Sequence, residues 1–306
     1  MEIRHLRAFK AVADLLSFNK AAEQLHYAQS SISAQIQALE EELNVRLFDR
    51  LGRGILLTEA GERLLPYAQK MLDLSEETLA DISETREPAG TLTIRVPESM
   101  AIYRLPQVIK RFHLKFPKVQ LAFTTCAHEG LQTDLRKGVT DLAFLLTDGI
   151  QAADLEADIL GFEQIRVVAS PDHPLAAKTS LQASDLEGQT VLLSKVDCSY
   201  RRIFEQILRE QQIPLDAVLT FHSVAALKAC VMAGLGVTIL PEVAVSHDIA
   251  HNRLVALPWD EGLFEVAILM IWYKGRWLSP SLQAFMELVR DEIKDLATAN
   301  RNGGSP

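Results

Sequence analysis

The sequence predicts an α/β fold with an all-α N-terminal part, in which a long linker helix leads into a larger, two-lobed α/β region. Three patterns predict it. Over the first sixty residues apolar side chains recur at steps of three and four, the spacing of one buried helix face. From Leu65 to Ile82 the same steps form a heptad-like seam. Beyond Gly90 short apolar strands alternate with amphipathic helices, which signals a mostly parallel sheet. A chain of 306 residues has ample length for about two such cores. The expected boundaries are 1–58, 59–88 and 89–306, the last divided into lobe I (90–163 plus 267–297) and lobe II (164–266).

Composition narrows the classes. The chain is 48% hydrophobic and 23% charged, close to an ordinary globular protein and unlike a disordered or collagenous one. Its three cysteines, Cys126, Cys198 and Cys230, form no C-x-x-C pair. That argues against a disulfide framework and a zinc ribbon, and leads us to expect a reducing cytoplasm. Met1-Glu2-Ile3-Arg4-His5 has no apolar leader, and no run has the roughly 18 apolar residues of a membrane span. No membrane partner is expected. The net charge of -9 argues against a histone-like binder of nucleic acid.

Charge is unevenly placed, however. Residues 1–58 carry seven basic and seven acidic side chains, whereas 59–88 carry three and eight. No charged residue occurs from Gln24 to Leu39, and Arg46, Arg50 and Arg53 follow with only Asp49 opposing them. A neutral polar surface beside an arginine cluster suits groove reading with phosphate contact. On charge alone, an ordinary polar helix followed by an exposed loop is as good a reading.

The N-terminal pattern supplies more. Ile3, Leu6, Phe9, Val12, Ala13 and Leu16 form one helix face, and Ser17 is placed to cap the next helix. That helix, about Phe18 to Leu25, turns Ala21, Ala22 and Leu25 inward. After His26-Tyr27-Ala28, a third helix buries Ile32, Ile36, Leu39 and Leu43 and shows Gln29, Ser30, Ser33 and Gln37 outward. Two short helices joined by a tight turn describe a helix-turn-helix. The segment Arg50 to Leu57 reads as a glycine-bent hairpin, or wing.

The stretches FNKAAEQL, QSSISAQIQALEEELNVRLFDR and LTEAG, within Ile3 to Gly61, resemble the N-terminal domain of LysR-type transcriptional regulators. The resemblance implies double-stranded promoter DNA as a partner. Gln29, Ser30, Ser31 and Ser33 would open a recognition helix, where Gln can pair two-pronged with adenine and Ser can serve base or backbone. Asn19 joins them as a DNA-side residue, and Arg50 and Arg53 would lie at the wing. Arg53 is the better candidate for minor-groove or phosphate contact. One departure stands out: many members carry Arg where this chain has Ala34. Capping and solvation is the alternative role for Ser30, Ser31 and Ser33.

Thr58 ahead of Glu59-Ala60-Gly61-Glu62 is placed to cap the linker helix, whose early acids suit its positive end. Its seam of Leu65, Ala68, Leu72, Ser75, Leu79 and Ile82 should pair with another chain, and Pro66 should bend it. Packing on its own domain is the alternative. In the family the matching helix forms an antiparallel dimer, so a homodimer or homotetramer on a roughly dyad-symmetric site is implied. RNA polymerase stays open as a further partner.

From Thr91 to Val96 a strand is expected, then a helix near Leu105 to Phe116, a strand at Val119 to Thr125, a helix at Gly130 to Lys137 and a strand at Asp141 to Leu146. A second run begins at Ile165, with strands near Val191, Val218 and Val237 and helices at Tyr200 to Gln211 and Val224 to Ala233. A return through Glu265 to Trp272 and a helix from Ser281 to about Leu296 close it, ahead of a tail expected to be disordered from Asn300. Two lobes joined by crossing strands make a cleft at the strands' carboxyl ends. The pieces LRKGVTDLAFL, HPLA and AGLGVTILP resemble the family's effector-binding domain, which is similar to a periplasmic binding protein. The resemblance implies effector contacts at Pro97, Ser99, Met100, Thr125 and Thr147 from one lobe, and Ser199 and Phe221 from the other. The Ser99 hydroxyl beside helix-end amides favours a small anion, such as a carboxylate.

Cys198-Ser199-Tyr200-Arg201 follows a strand and opens a helix, so Arg201 is placed to clamp a carboxylate, unless it pairs with a nearby Glu. A nucleophilic or redox-sensing Cys198 is the competing reading from another class. Other chemistry finds little support. Gly234-Leu235-Gly236 lacks a third glycine and precedes a strand, so no dinucleotide is expected. His247 and His251 lack a third ligand, so no metal is expected. With no Gly-x-Ser-x-Gly elbow and no P-loop, the expectation is a regulator without catalytic residues or cofactor. A plain small-molecule carrier would leave the first sixty residues unexplained.

Overall fold

The computed structural model describes residues 1–51, 54–82, 88, 90–125, 130–147, 149, 152–194, 199–214, 217–260 and 265–302. By internal contacts the chain divides into two units. One is Met1–Glu87 with Thr133–Val139 and Gly275–Pro280, and the other holds the remainder.

The first unit opens with α1 (Ile3–Leu15), α2 (Phe18–Leu25) and α3 (Gln29–Leu43). Each stops at a residue in the left-handed region, Leu16, His26 and Asn44 at φ 46°, 56° and 52°. The Ser17 hydroxyl accepts from the Lys20 amide at 3.3 Å, so the expected cap of α2 is present. The hairpin follows as β1 (Phe48–Leu51) and β2 (Gly54–Leu57), antiparallel with Phe48 opposite Leu57 and Leu51 opposite Gly54. Phe9, Phe18 and Phe48 meet with ring centroids 5.5 and 5.9 Å apart, which joins hairpin and helices in one core. Such ring pairs contribute about 0.5–1.5 kcal/mol each beyond burial.

Helix α4 (Glu59–Ile82) runs on through Pro66. The Thr58 hydroxyl accepts from the Gly61 amide at 3.1 Å and donates to the Arg46 carbonyl at 2.7 Å, tying the helix start to the hairpin. A Cβ on Gly61 would fall on the Leu47 carbonyl oxygen, so only glycine lets α4 approach this closely. The expected seam divides in two. Ala68 and Leu72 are buried in the helical core, with Leu65 packed against it, whereas Leu79 is exposed. A second apolar stripe, Tyr67, Met71 and Leu74, lies exposed on another face of the helix.

The second unit is built on one nine-stranded sheet. In chain order the elements from Gly90 on are β3 (Gly90–Val96), α5 (Glu98–Tyr103), α6 (Pro106–Lys115), β4 (Val119–Thr125), α7 (Leu131–Lys137, most of which groups with the first unit), β5 (Leu142–Thr147) and β6 (Leu155–Ala169). There follow β7 (Thr190–Ser194), α8 (Ser199–Glu210), β8 (Ala217–Phe221), α9 (Val224–Met232), β9 (Val237–Pro241), α10 (Glu242–Ala250), β10 (Val255–Ala256), β11 (Glu265–Tyr273) and α11 (Pro280–Asn302). Two short 3-10 turns, Pro174–Ala177 and Ala183–Leu186, precede β7. The path runs β4-β3-β5-β11-β6-β9-β7-β8, parallel within β4-β3-β5 and within β9-β7-β8, and antiparallel at the three pairings β5–β11, β11–β6 and β6–β9. Strand β6 starts ten residues earlier than its apolar run implies, because its first part lies beside β11 with Glu156, Ala157, Ile159 and Phe162 exposed. Helix α5 is likewise additional: the sequence shows only a turn between β3 and the helix at Pro106.

Register shows where the strand ends meet. Thr147, last in β5, is level with Ala267, and Ala267 is level with Phe162 on β6. Pro241, last in β9, is level with Ile165 on β6. The strands of the two sheet ends run in opposite directions, so their carboxyl ends converge on residues 162–165, about 10 Å apart along β6.

Candidate functional site

Two surfaces carry the expected residues. On the helical unit, α3 begins at Ala28, which offers no side-chain cap. The Ser31 amide donates to the Ala28 carbonyl at 2.9 Å and starts the backbone bonding of the helix. The opening amides of α3 precede that bond, lack a side-chain cap and belong to exposed residues, with the positive end of the helix field behind them. Gln29 and Ser30 are exposed, Ser31 and Ser33 half-buried, and Asn19 is exposed on α2. Gln29 donates from its side chain to the Ser33 hydroxyl at 2.8 Å, which holds the amide over the first turn. Arg50 lies in β1 opposite Ile55, whereas Arg53 lies outside the described residues.

Tyr27 joins the exposed side chains at this end of α3, a position that the sequence pattern does not single out. It is 53% exposed immediately before α3, with its amide donating to the Ala22 carbonyl at 2.9 Å. The residue before it, His26, is in the left-handed region at φ 56°.

At the convergence of strand ends lie the other candidates. Val96 is level with Thr125 across β3 and β4, and Ser194 with Phe221 across β7 and β8. Pro97 is the N-cap of α5, and Ser99 and Met100 are buried in its first turn. Thr147 is buried, its hydroxyl donating to the Gly149 carbonyl at 3.0 Å. Thr125 is exposed, and Phe221 is half-buried against the core of α9 and α10. Ser199 begins α8. Arg201 donates to Glu205 on its own helix at 2.8 Å and to the Ser194 carbonyl, so its guanidinium is held in place by the end of β7. Cys198 lies outside the described residues.

Helix α5 makes three polar contacts across this junction. Glu98 accepts from the Ser223 hydroxyl at 3.1 Å and from the Val224 amide at 2.9 Å. The Tyr103 hydroxyl accepts from Lys228 at 3.0 Å. Arg104, just past α5, pairs at 2.6 Å with buried Glu163 of β6, whose other oxygen accepts from the Val243 amide at the start of α10 at 3.0 Å. Lys228 also donates to the Ala244 carbonyl at 2.9 Å and pairs with Asp248 at 2.5 Å. Burial pulls the Lys228 pKa down, but hydrogen bonds to Asp248 and Tyr103 outweigh it and leave the ammonium above its ordinary value. Among the described residues no group of acidic, His and Cys side chains forms a metal site, and no helix is long and apolar enough to cross a membrane.

Comparison with known proteins matches both parts of the chain. Residues 3–62 match the bacterial regulatory helix-turn-helix protein model of the lysR family, and residues 85–294 match the LysR substrate binding domain. The chain is 40% identical over 295 residues to the uncharacterized HTH-type transcriptional regulator YwqM of Bacillus subtilis, covering 96% of this chain and 100% of that one. It is 32% identical over 294 residues to the HTH-type transcriptional regulator GltR of Bacillus subtilis, covering 96% and 98%. Among solved structures, a full-length OxyR variant from Pseudomonas aeruginosa superposes with a TM-score of 0.76 at 26% identity, covering 96% of this chain and 95% of that one. The two Bacillus relatives are named as regulators, not enzymes. With a helix-turn-helix unit and a substrate-binding sheet in one chain, which together match nearly its whole length, the protein belongs to the LysR family of DNA-binding transcriptional regulators.

Proposed function

We propose that this regulator grips roughly dyad-symmetric promoter DNA as a homodimer or a pair of dimers, and that a small carboxylate in the inter-lobe cleft changes how it does so. The carrying observation is the uncapped start of α3, with Gln29 and Ser30 exposed beside open amides and a hairpin following. Open amides and the helix field suit a phosphate, while Gln29 suits a base edge. Tyr27 adds a phenol at the same end, and Arg50 and Arg53 are assigned to the wing. Assembly rests on the exposed Tyr67, Met71 and Leu74 stripe of α4, an apolar face for a second copy.

The effector class rests on the cleft. Helices α8 and α9 both start at strand carboxyl ends, and the amide end of α9 already donates to a carboxylate, that of Glu98. Ser99 and Thr125 offer hydroxyls, Thr147 shapes the end of β5 through its bonds to Gly149, and Pro97, Met100 and Phe221 offer apolar surface. Binding must favour one arrangement of the lobes to have any effect, since a ligand shifts an equilibrium only by its differential affinity. The work takes place in the cytoplasm, and RNA polymerase is the partner through which altered DNA geometry would act.

The test is a footprint of the pure protein on DNA upstream of its own gene. A protected dyad-symmetric segment, lengthened or shortened by a metabolite mixture, is the expected result. No protection even at low salt, where phosphate contacts are strongest, would defeat the proposal.

A further inference from the structure

We propose that Glu98 is an internal latch: a carboxylate from the β3–β5 end of the sheet, seated on the amide end of α9 at the β7–β9 end, which holds the two ends in one arrangement until a ligand at the neighbouring residues moves it. This deepens the effector reading above and rests on it.

The geometry begins at Ser223. As N-cap of α9 its hydroxyl oxygen accepts from the Ala226 amide at 3.4 Å, the usual role of a serine there. The same hydroxyl donates its proton to Glu98 Oε1, and Glu98 Oε2 accepts from Val224, the first amide of α9. Both carboxylate oxygens are therefore spent on one helix end 125 residues away in sequence. A full negative charge there meets the positive end of the helix field, and charge-assisted bonds of this kind are the stronger ones. The same charge has little business in the first turn of α5 for capping alone, since it reaches away from its own helix.

The position of Glu98 gives the latch its meaning. It lies between Pro97 and Ser99, two residues assigned to the effector, so a ligand that displaces this backbone moves the carboxylate directly. Helix α5 has six residues, about 9 Å of rise. Its far end is fixed separately, by Tyr103 on Lys228 and by Arg104 on Glu163. Lys228 lies one turn further along α9 and itself reaches Ala244 and Asp248 of α10, and Glu163 is on the central strand β6, so these contacts serve as the pivot, while Glu98 serves as the releasable end. A carboxylate effector would compete with Glu98 for the same amides.

Hydrogen exchange on the full chain tests this. In Glu98→Ala, amides in the first turn of α9, Val224 to Leu227, should exchange about tenfold faster or more, whereas β3, β5 and the α1–α3 core keep wild-type rates. Glu98→Gln keeps an acceptor and loses the charge, so it should fall between the two and guards against a misfolded Ala variant. Unchanged exchange at α9, or equal acceleration throughout the chain, would overturn the latch. Footprints without effector then connect it to DNA. A Glu98→Gln protein whose protected segment differs from wild type supports the latch, and an identical segment overturns it while leaving the regulator intact. Were wild type itself to give no footprint, the DNA reading would fail, and the exchange rates alone would decide the latch.

Discussion

Glu40 Oε1 accepts from the Leu47 amide at 2.7 Å and joins the end of α3 to the start of the hairpin. The same oxygen takes the Phe48 amide at 3.4 Å, and Oε2 pairs with Arg46 at 3.0 Å. Glu40 is buried, so its charge is tolerated only because two amides and a guanidinium face it. Glu40→Ala should cost about 2–3 kcal/mol, since it orphans two backbone donors where water is excluded. Glu40→Gln should cost less. The measurement is the urea midpoint of the full chain, together with DNA affinity, which should fall further than stability explains because the wing loses its fixed angle to α3. Equal midpoints for Ala and wild type would show that the contact contributes nothing.

Gln29 and Arg53 should fail in different ways when replaced. Gln29→Ala should relax preference at one base pair, worth roughly 1–3 kcal/mol of discrimination, with little change in salt dependence. Arg53→Ala should weaken binding to all sequences alike and lower the salt slope by about one. Titrations at several salt concentrations on matched and scrambled sites separate the two. An Arg53→Ala protein with an unchanged slope would remove Arg53 from the phosphate contacts.

Much of this layout is legible in the sequence, for reasons that particular residues make plain. Helices α1 to α3 and their caps are local: Ser17 reads its own helix end three residues away, and Thr58 does the same for α4. Glu40 is different, because nothing in EEEL shows which acid turns inward to meet Leu47. The start of β6 is hidden for the same reason. Its acids Glu156, Asp158 and Glu163 look like loop, and only pairing with β11 explains them. Asp158 meets Arg290 at 2.7 Å and Glu163 meets Arg104, partners far away in the chain. At the cleft, the resemblance supplied Pro97 and Ser99 but passed over Glu98 between them, whose role depends on Ser223. The α4 seam follows from period alone, and period cannot say which half of a stripe an intramolecular neighbour will take. Here the helical core takes Ala68 and Leu72.

That division makes the α4 residues separable by experiment. Leu74 is 60% exposed, and Tyr67 equally so, which leaves them free for a second copy. Leu74→Glu should shift the sedimentation profile toward monomer while the melting temperature of the helical core stays near wild type. Leu72→Ala should do the reverse, costing roughly 2–5 kcal/mol of stability as a buried leucine. Sedimentation of Leu74→Glu identical to wild type would place the interface elsewhere.

Lys228 should show its burial in two ways. Its ammonium makes three contacts, to Tyr103, Ala244 and Asp248, and Asp248 also meets Arg253 at 2.5 Å. Asp248 is buried and the Lys228 side chain largely so, and Lys228→Met leaves Asp248 facing the half-exposed Arg253 as its remaining cation among the described residues. Breaking a buried pair on one side costs about 3–5 kcal/mol, and Arg253 should hold this loss near the lower end. The pH dependence follows from the raised pKa. A lysine that holds its proton more tightly when folded stabilises the fold fully below its unfolded pKa of about 10.4, and that stabilisation is lost as pH rises through the higher folded value. Wild type should therefore lose stability above about pH 10.4 more steeply than Lys228→Met, with the two curves parallel between about pH 7 and 9. Urea midpoints across that range decide it. Curves that stay parallel up to about pH 11 would mean that Lys228 titrates as a free lysine. The pivot at the far end of α5 would then have to rest on Arg104 and Glu163.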